Sequence, residues 1–127
     1  MQCHLIEQAR GSTLDLEEIK SSVEYTESIF KSDKFDVGLG ICKSCGQIFI
    51  SCFREYNTAD FKDYYWLFWV PATETDIQRL RAAKLLIKFM AELIASQSHI
   101  CCDDEGSLSW KEGGLPEPLA LTIFLPV

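Results

Sequence analysis

Cys42-Lys43-Ser44-Cys45-Gly46, running straight into Gln47-Ile48-Phe49-Ile50-Ser51-Cys52-Phe53, is the stretch on which the fold turns. Two thiols flank a pair of residues, glycine follows the second thiol, and a strand-like run comes next. A redox Cys-x-x-Cys opens a helix, where the macrodipole stabilises a thiolate. A metal knuckle occupies a tight hairpin turn, where backbone N–H groups point at the sulfurs and glycine accepts positive φ. The flanks here are those of a hairpin. Val37, Leu39 and Ile41 alternate before the turn; Ile48, Ile50 and Cys52 alternate after it, with Phe49 and Phe53 on the opposite face. Residues 37–56 therefore read as a strand pair folded about the cysteine turn.

Toward the C-terminus, a polar turn-like segment leads to Tyr64-Tyr65-Trp66-Leu67-Phe68-Trp69-Val70, apolar on both faces and closed by Pro71. Such a strand belongs in the middle of a sheet. If helices cover both faces of that sheet, these aromatics are core. If one face is open, they form a protein-docking surface. Residues 75–96 predict one long helix of about 33 Å, with Thr75 and Gln78 as a capping box. Ile77, Leu80, Ala83, Ile87, Met90 and Ile94 form one apolar stripe; Ala82, Leu86, Phe89 and Leu93 form a second. His99 to Cys102 reads as a short strand or turn. Asp103-Asp104-Glu105-Gly106 turns the chain, Ser107 to Trp110 pairs back across it, and Leu119 to Leu125 forms a further strand. Toward the N-terminus, residues 14–31 predict an amphipathic helix with Leu16, Ile19, Val23 and Phe30 on one side and Asp15 and Glu18 as its cap.

The expectation is one α+β domain over residues 1–127. It consists of a four- to five-stranded mixed or antiparallel sheet packed by one long helix, plus an N-terminal helix at one side or on the opposite face. The 127 residues, 47% apolar and 24% charged, fit a single modest core. No apolar run approaches the roughly 20 residues of a membrane span, and the first residues lack the features of a secretory signal. The cytoplasm, where thiols stay reduced, is the expected compartment. The net charge of −7 is uneven: eight acids against four bases in residues 1–36, and five against one in residues 99–127. Direct nucleic-acid binding is disfavoured, since phosphates need a basic face. A basic protein partner would be attracted.

Two knuckle thiols make half of a zinc site, because zinc takes four ligands in a tetrahedron. The second half is sought in His99 and Cys102, which have the same spacing, so the candidate metal set is Cys42, Cys45, His99 and Cys102. Cys101 competes with Cys102, since strand neighbours point to opposite sides; Asp103 is an alternative oxygen ligand. Cys52 reads as core, and Cys3 as incidental near the terminus. Three readings of the thiols stand side by side: zinc ligands, small buried hydrophobes, and a redox pair made of Cys42 and Cys45.

The segment from Cys42 to Phe53 resembles the knuckle of zinc ribbons and rubredoxin-like proteins. Together with Tyr65-Trp66-Leu67-Phe68-Trp69-Val70-Pro71, it is similar to small uncharacterised bacterial proteins that carry a Cys-x-x-Cys-Gly-Gln hairpin. The resemblance covers about a third of the chain and implies a hairpin-containing domain with no attached activity. The chain departs from a zinc ribbon in having no second Cys-x-x-Cys.

Catalytic signatures are absent from the sequence. Its two histidines, His4 and His99, have no sequence-level acid–base partner, and no nucleophile elbow, phosphate loop or dinucleotide fingerprint occurs. Gly38-Leu39-Gly40 reads as a bent strand. The functional expectation is a non-enzymatic protein-interaction module, of inhibitor or immunity type, with a structural zinc knuckle. The alternative is a small thiol-disulfide oxidoreductase using Cys42 and Cys45.

Overall fold

A computed structural model describes residues 3–57, 63–103 and 105–116. The element order is α1 (His4–Arg10), α2 (Leu16–Ser22), β1 (Val23–Lys31), β2 (Phe35–Cys42), β3 (Ile48–Asn57), β4 (Asp63–Pro71), α3 (Glu74–Ala82), α4 (Leu86–Ser96), β5 (His99–Cys102) and β6 (Leu108–Lys111). The strands form one antiparallel sheet in sequence order, β1 to β6. The α+β class is as expected, but the described residues contain six strands rather than four or five and four helices rather than two. The expected strand at Leu119 to Leu125 lies outside the described residues, as does most of the turn before β4.

Strand alternation divides the core between the two sheet faces. One cluster gathers Val37, Leu39, Ile50, Cys52, Trp66, Phe68 and Val70 under Leu80 of α3 and Met90, Leu93 and Ile94 of α4. The other gathers Val23, Cys42, Phe49, Trp69, Ile100 and Cys102 under Leu5, Ile6 and Ala9 of α1 and Ile19 of α2. The double-sided apolar reading of Tyr64 to Val70 follows from this position: β4 lies between β3 and β5, and its alternate residues serve opposite clusters.

Two helix expectations are corrected. Residues 14–31 are a short helix followed by an edge strand. Asp15 caps α2 by accepting the Glu18 N–H at 2.8 Å, and the chain turns extended at Val23 (φ −103°, ψ 122°). The strand looked helical because β1 carries two register irregularities against β2, between Tyr25 and Glu27 and between Ser28 and Phe30. Each breaks the period of two, and the expected stripe is not one face: Val23 packs under α1 and α2, Ile29 packs with the other cluster, and Phe30 is exposed. The long helix is likewise two helices. Thr73, rather than Thr75, caps α3, in a reciprocal box with Asp76. Ala83 leaves helical space (φ −69°, ψ 129°), and α4 starts afresh after Leu85. The change of direction carries α3 and α4 onto the same sheet face, so that Leu80 and Met90 bury in one cluster. None of the described helices is long and apolar enough to cross a membrane.

Candidate metal centre

The cysteine turn is a hairpin knuckle. The Cys42 N–H donates to the Gln47 carbonyl at 2.9 Å, the Gly46 N–H returns to the Cys42 carbonyl at 2.9 Å, and Gly46 takes φ +81°. The backbone N–H groups of Cys45 and Ser44 lower the Cys42 thiol against its burial. This is the geometry in which a thiolate is held by backbone dipoles without a helix. The Lys43 N–H donates to the Ser22 carbonyl at 2.9 Å, so the knuckle is moored to the end of α2.

The partners of the knuckle come from the N-terminus. Cys3 is the N-cap residue of α1, where its side chain makes no capping hydrogen bond; the nearby N–H groups of Leu5 and Ile6 favour its thiolate. His4, the next residue, presents Nδ1 3.9 Å from the Cys42 sulfur. The ligand atoms of Cys3, His4 and Cys42 all lie within 4.8 Å of one another and can hold a metal ion. In a tetrahedral zinc site, two ligand atoms stand about 3.6–3.8 Å apart, so the set needs only small closures. Cys45 is exposed and lies outside that group of three, though its thiol bears on the ionisation of Cys3 and Cys42. The other imidazole nitrogen, Nε2, faces Glu18 Oε1 at 3.8 Å. A carboxylate behind a ligating histidine fixes the ring and raises its basicity.

The two buried sulfurs differ in charge preference. Burial pushes the Cys3 thiol up to about 12, against the N–H groups of Leu5 and Ile6, with the Cys45 and Cys42 thiols adding to the rise. Burial opposes ionisation of Cys42 too. There the N–H groups of Cys45 and Ser44 and the thiols of Cys45 and Cys3 outweigh it, and the Cys42 thiol falls below its ordinary value. Ionisation is thus favoured at Cys42 and opposed at Cys3. Further thiolates need a cation among them.

The other two predicted ligands lie elsewhere. His99 and Cys102 are three residues apart in β5, and an odd spacing in a strand sends side chains to opposite faces. His99 is fully buried beside Phe68, ring centroids 5.7 Å apart, with Nδ1 2.8 Å from the Gln97 carbonyl oxygen. Burial holds it below the usual imidazole range, against the Gln97 carbonyl. Cys102 belongs to the α1/α2 cluster as a buried thiol, raised by burial first and the Asp103 charge second. Asp103 braces its own turn by accepting the N–H groups of Glu105 and Ser107, each at 3.0 Å. Cys52 and Cys101 are core thiols of the other face, both pushed to about 12 by burial. The sequence reading found the knuckle and missed Cys3 and His4. The available signal was two adjacent ligand types directly before Leu5, Ile6 and Ala9, whose spacing marks one buried helical side. At a helix start, unlike in a strand, adjacent residues can serve one site.

No protein-family model, no curated protein and no solved structure matches the chain.

Proposed function

We propose that Cys3, His4, Cys42 and Cys45 bind zinc, and that the metal staples α1 to the β2–β3 hairpin of a non-enzymatic protein-interaction module. The carrying observation is the meeting of three ligand atoms within 4.8 Å, drawn from two segments far apart in sequence. Two of the donors are buried sulfurs whose thiolates neighbouring backbone N–H groups favour. Three thiolates and an imidazole fill a tetrahedron and over-neutralise Zn²⁺, leaving no position for substrate or activated water; this donor set suits structural sites. Elemental analysis of protein purified without chelator tests the reading. About one zinc per chain is expected, retained by Cys102→Ser and lost by Cys42→Ser. Zinc-free protein that takes up none on reconstitution would overturn it.

A second reading, thiol-disulfide exchange between Cys42 and Cys45, draws on the exposed Cys45 beside a thiol of lowered pKa. Against it, Cys45 leads into β3 rather than a helix, and no macrodipole serves the pair. Thiol titration separates the two. A staple predicts that chelator uncovers thiols and lowers Tm; an exchange pair predicts reversible oxidation that is indifferent to chelator.

A further inference from the structure

The sheet sorts the free thiols by which of them can meet. Cys52 and Cys101 both pair with Phe68, from opposite sides of β4, so two strand spacings, about 10 Å, separate them. A disulfide joins α-carbons no more than about 7 Å apart. Cys101 and Cys102 are strand neighbours and serve opposite faces. Cys102 shares a face with Cys42 but stands in β5, three strands from β2, about 14 Å away. Cys3 and Cys42 are different. Both are buried, and their sulfurs lie no more than 4.8 Å apart.

Each of these two sulfurs is held by its own element. Cys3 caps α1, which Leu5, Ile6 and Ala9 bury against the sheet. Cys42 ends β2, with its N–H on the Gln47 carbonyl at 2.9 Å. A sulfur–sulfur bond of about 2.05 Å therefore needs at most about 1.4 Å of movement from each, the scale of a side-chain rotation. Cys45, in the same turn as Cys42, is exposed, so it is the sulfur of the cluster that meets a solute.

We infer that the cluster is a hydroperoxide-responsive switch, in which Cys45 takes the oxidant and a Cys3–Cys42 disulfide replaces the metal as the link between α1 and the hairpin. The Cys45 sulfur attacks the peroxide O–O bond, becomes a sulfenic acid and releases hydroxide. The Cys42 thiolate displaces a second hydroxide from it, giving a Cys42–Cys45 disulfide. Cys3 then attacks the Cys42 sulfur, and Cys45 leaves as a thiolate. Overall two thiolates lose one electron each, the peroxide is reduced, and two protons complete two waters. Exchange runs toward the buried pair, because a bridge through Cys45 stays open to attack in solvent. Disulfide sulfurs are not zinc ligands, so Cys45 and His4 alone remain and the ion leaves. The release rests on the zinc reading; the bridge rests on the sulfur geometry.

The test adds excess hydrogen peroxide to the zinc-loaded full chain. Zinc release is followed with a colorimetric chelator and cysteine pairing by non-reducing peptide mapping. The expected result is about one zinc released per Cys3–Cys42 bridge, with Cys52, Cys101 and Cys102 still free, and recovery of both thiols and zinc binding with dithiothreitol. The oxidised chain should melt roughly 10 °C above the reduced, chelated chain. In the chelated chain, Cys45→Ser should slow the bridge about tenfold. A Cys42–Cys45 bridge as the end product overturns the inference in favour of the exchange pair. Zinc lost to sulfinic or sulfonic acids without a bridge overturns it as well, and a Cys45→Ser chain as fast as the parent overturns the entry role of Cys45. A chain that binds no zinc overturns the metal reading and the release with it, while mapping of that same chain still decides the bridge.

Discussion

Cys3 is buried at the start of α1, His4 stands between a sulfur and a carboxylate, and together they turn a two-thiol turn into a metal-competent cluster. Glu18 acts on that cluster only through His4, so Glu18→Gln is predicted to lower zinc affinity about tenfold while preserving stoichiometry, as read by competitive chelator titration. Gly46 tests the turn itself. A Cβ there meets nothing within 4 Å, so the penalty of Gly46→Ala is purely that of φ +81°. The substitution should cost about 1 kcal/mol and lower Tm by about 3–5 °C, and Gly46→Asn should lower it less. His99 makes the opposite kind of contribution. Its folded pKa lies below its unfolded value near 6.5, so the unfolded chain binds the extra proton. The stability it supports is complete above about pH 6.5 and is lost as pH falls toward the folded value. Denaturant midpoints in chelated protein should decline across that window, and His99→Leu should flatten the decline.

Each element was legible to the extent that its signal was local. The hairpin could be read because its turn chemistry and both alternations sit within one short stretch, and β4 because its apolar run is bounded by proline. β1 was not, since its register irregularities mask the period of two with a spacing that mimics a helix. The break between α3 and α4 was not, since Ala83-Lys84-Leu85 contains neither glycine nor proline and both apolar stripes run through it. The structure supplies the missing constraint: Asp76, in the α3 cap, also accepts the Gln97 side-chain N–H at 3.2 Å, tying the start of α3 to the end of α4. Thr73→Ala removes one arm of that cap. It should destabilise by about 1 kcal/mol, measurable as a lower denaturant midpoint with an unchanged m-value.

Among the described residues, α3 and α4 pack on one face of the sheet and α1 and α2 pack on the other. The Cys3, His4 and Cys42 cluster lies between the start of α1 and the end of β2. The site was legible only in part, because Cys42 announces itself beside Cys45 whereas His4 reaches it from 38 residues away. Such a meeting is set by how α1 lies across the sheet, and no local spacing encodes it. His99 and Cys102 shared the right spacing but not the right face.

The central claim is that a metal joins α1 to the hairpin through three sulfurs and one imidazole. Zinc-edge X-ray absorption on the full chain tests it most directly. The account predicts a first shell of about three sulfurs at ~2.3 Å and about one nitrogen at ~2.0 Å, with the nitrogen contribution lost in His4→Ala. A shell dominated by oxygen, or protein that acquires no zinc at all, would contradict it.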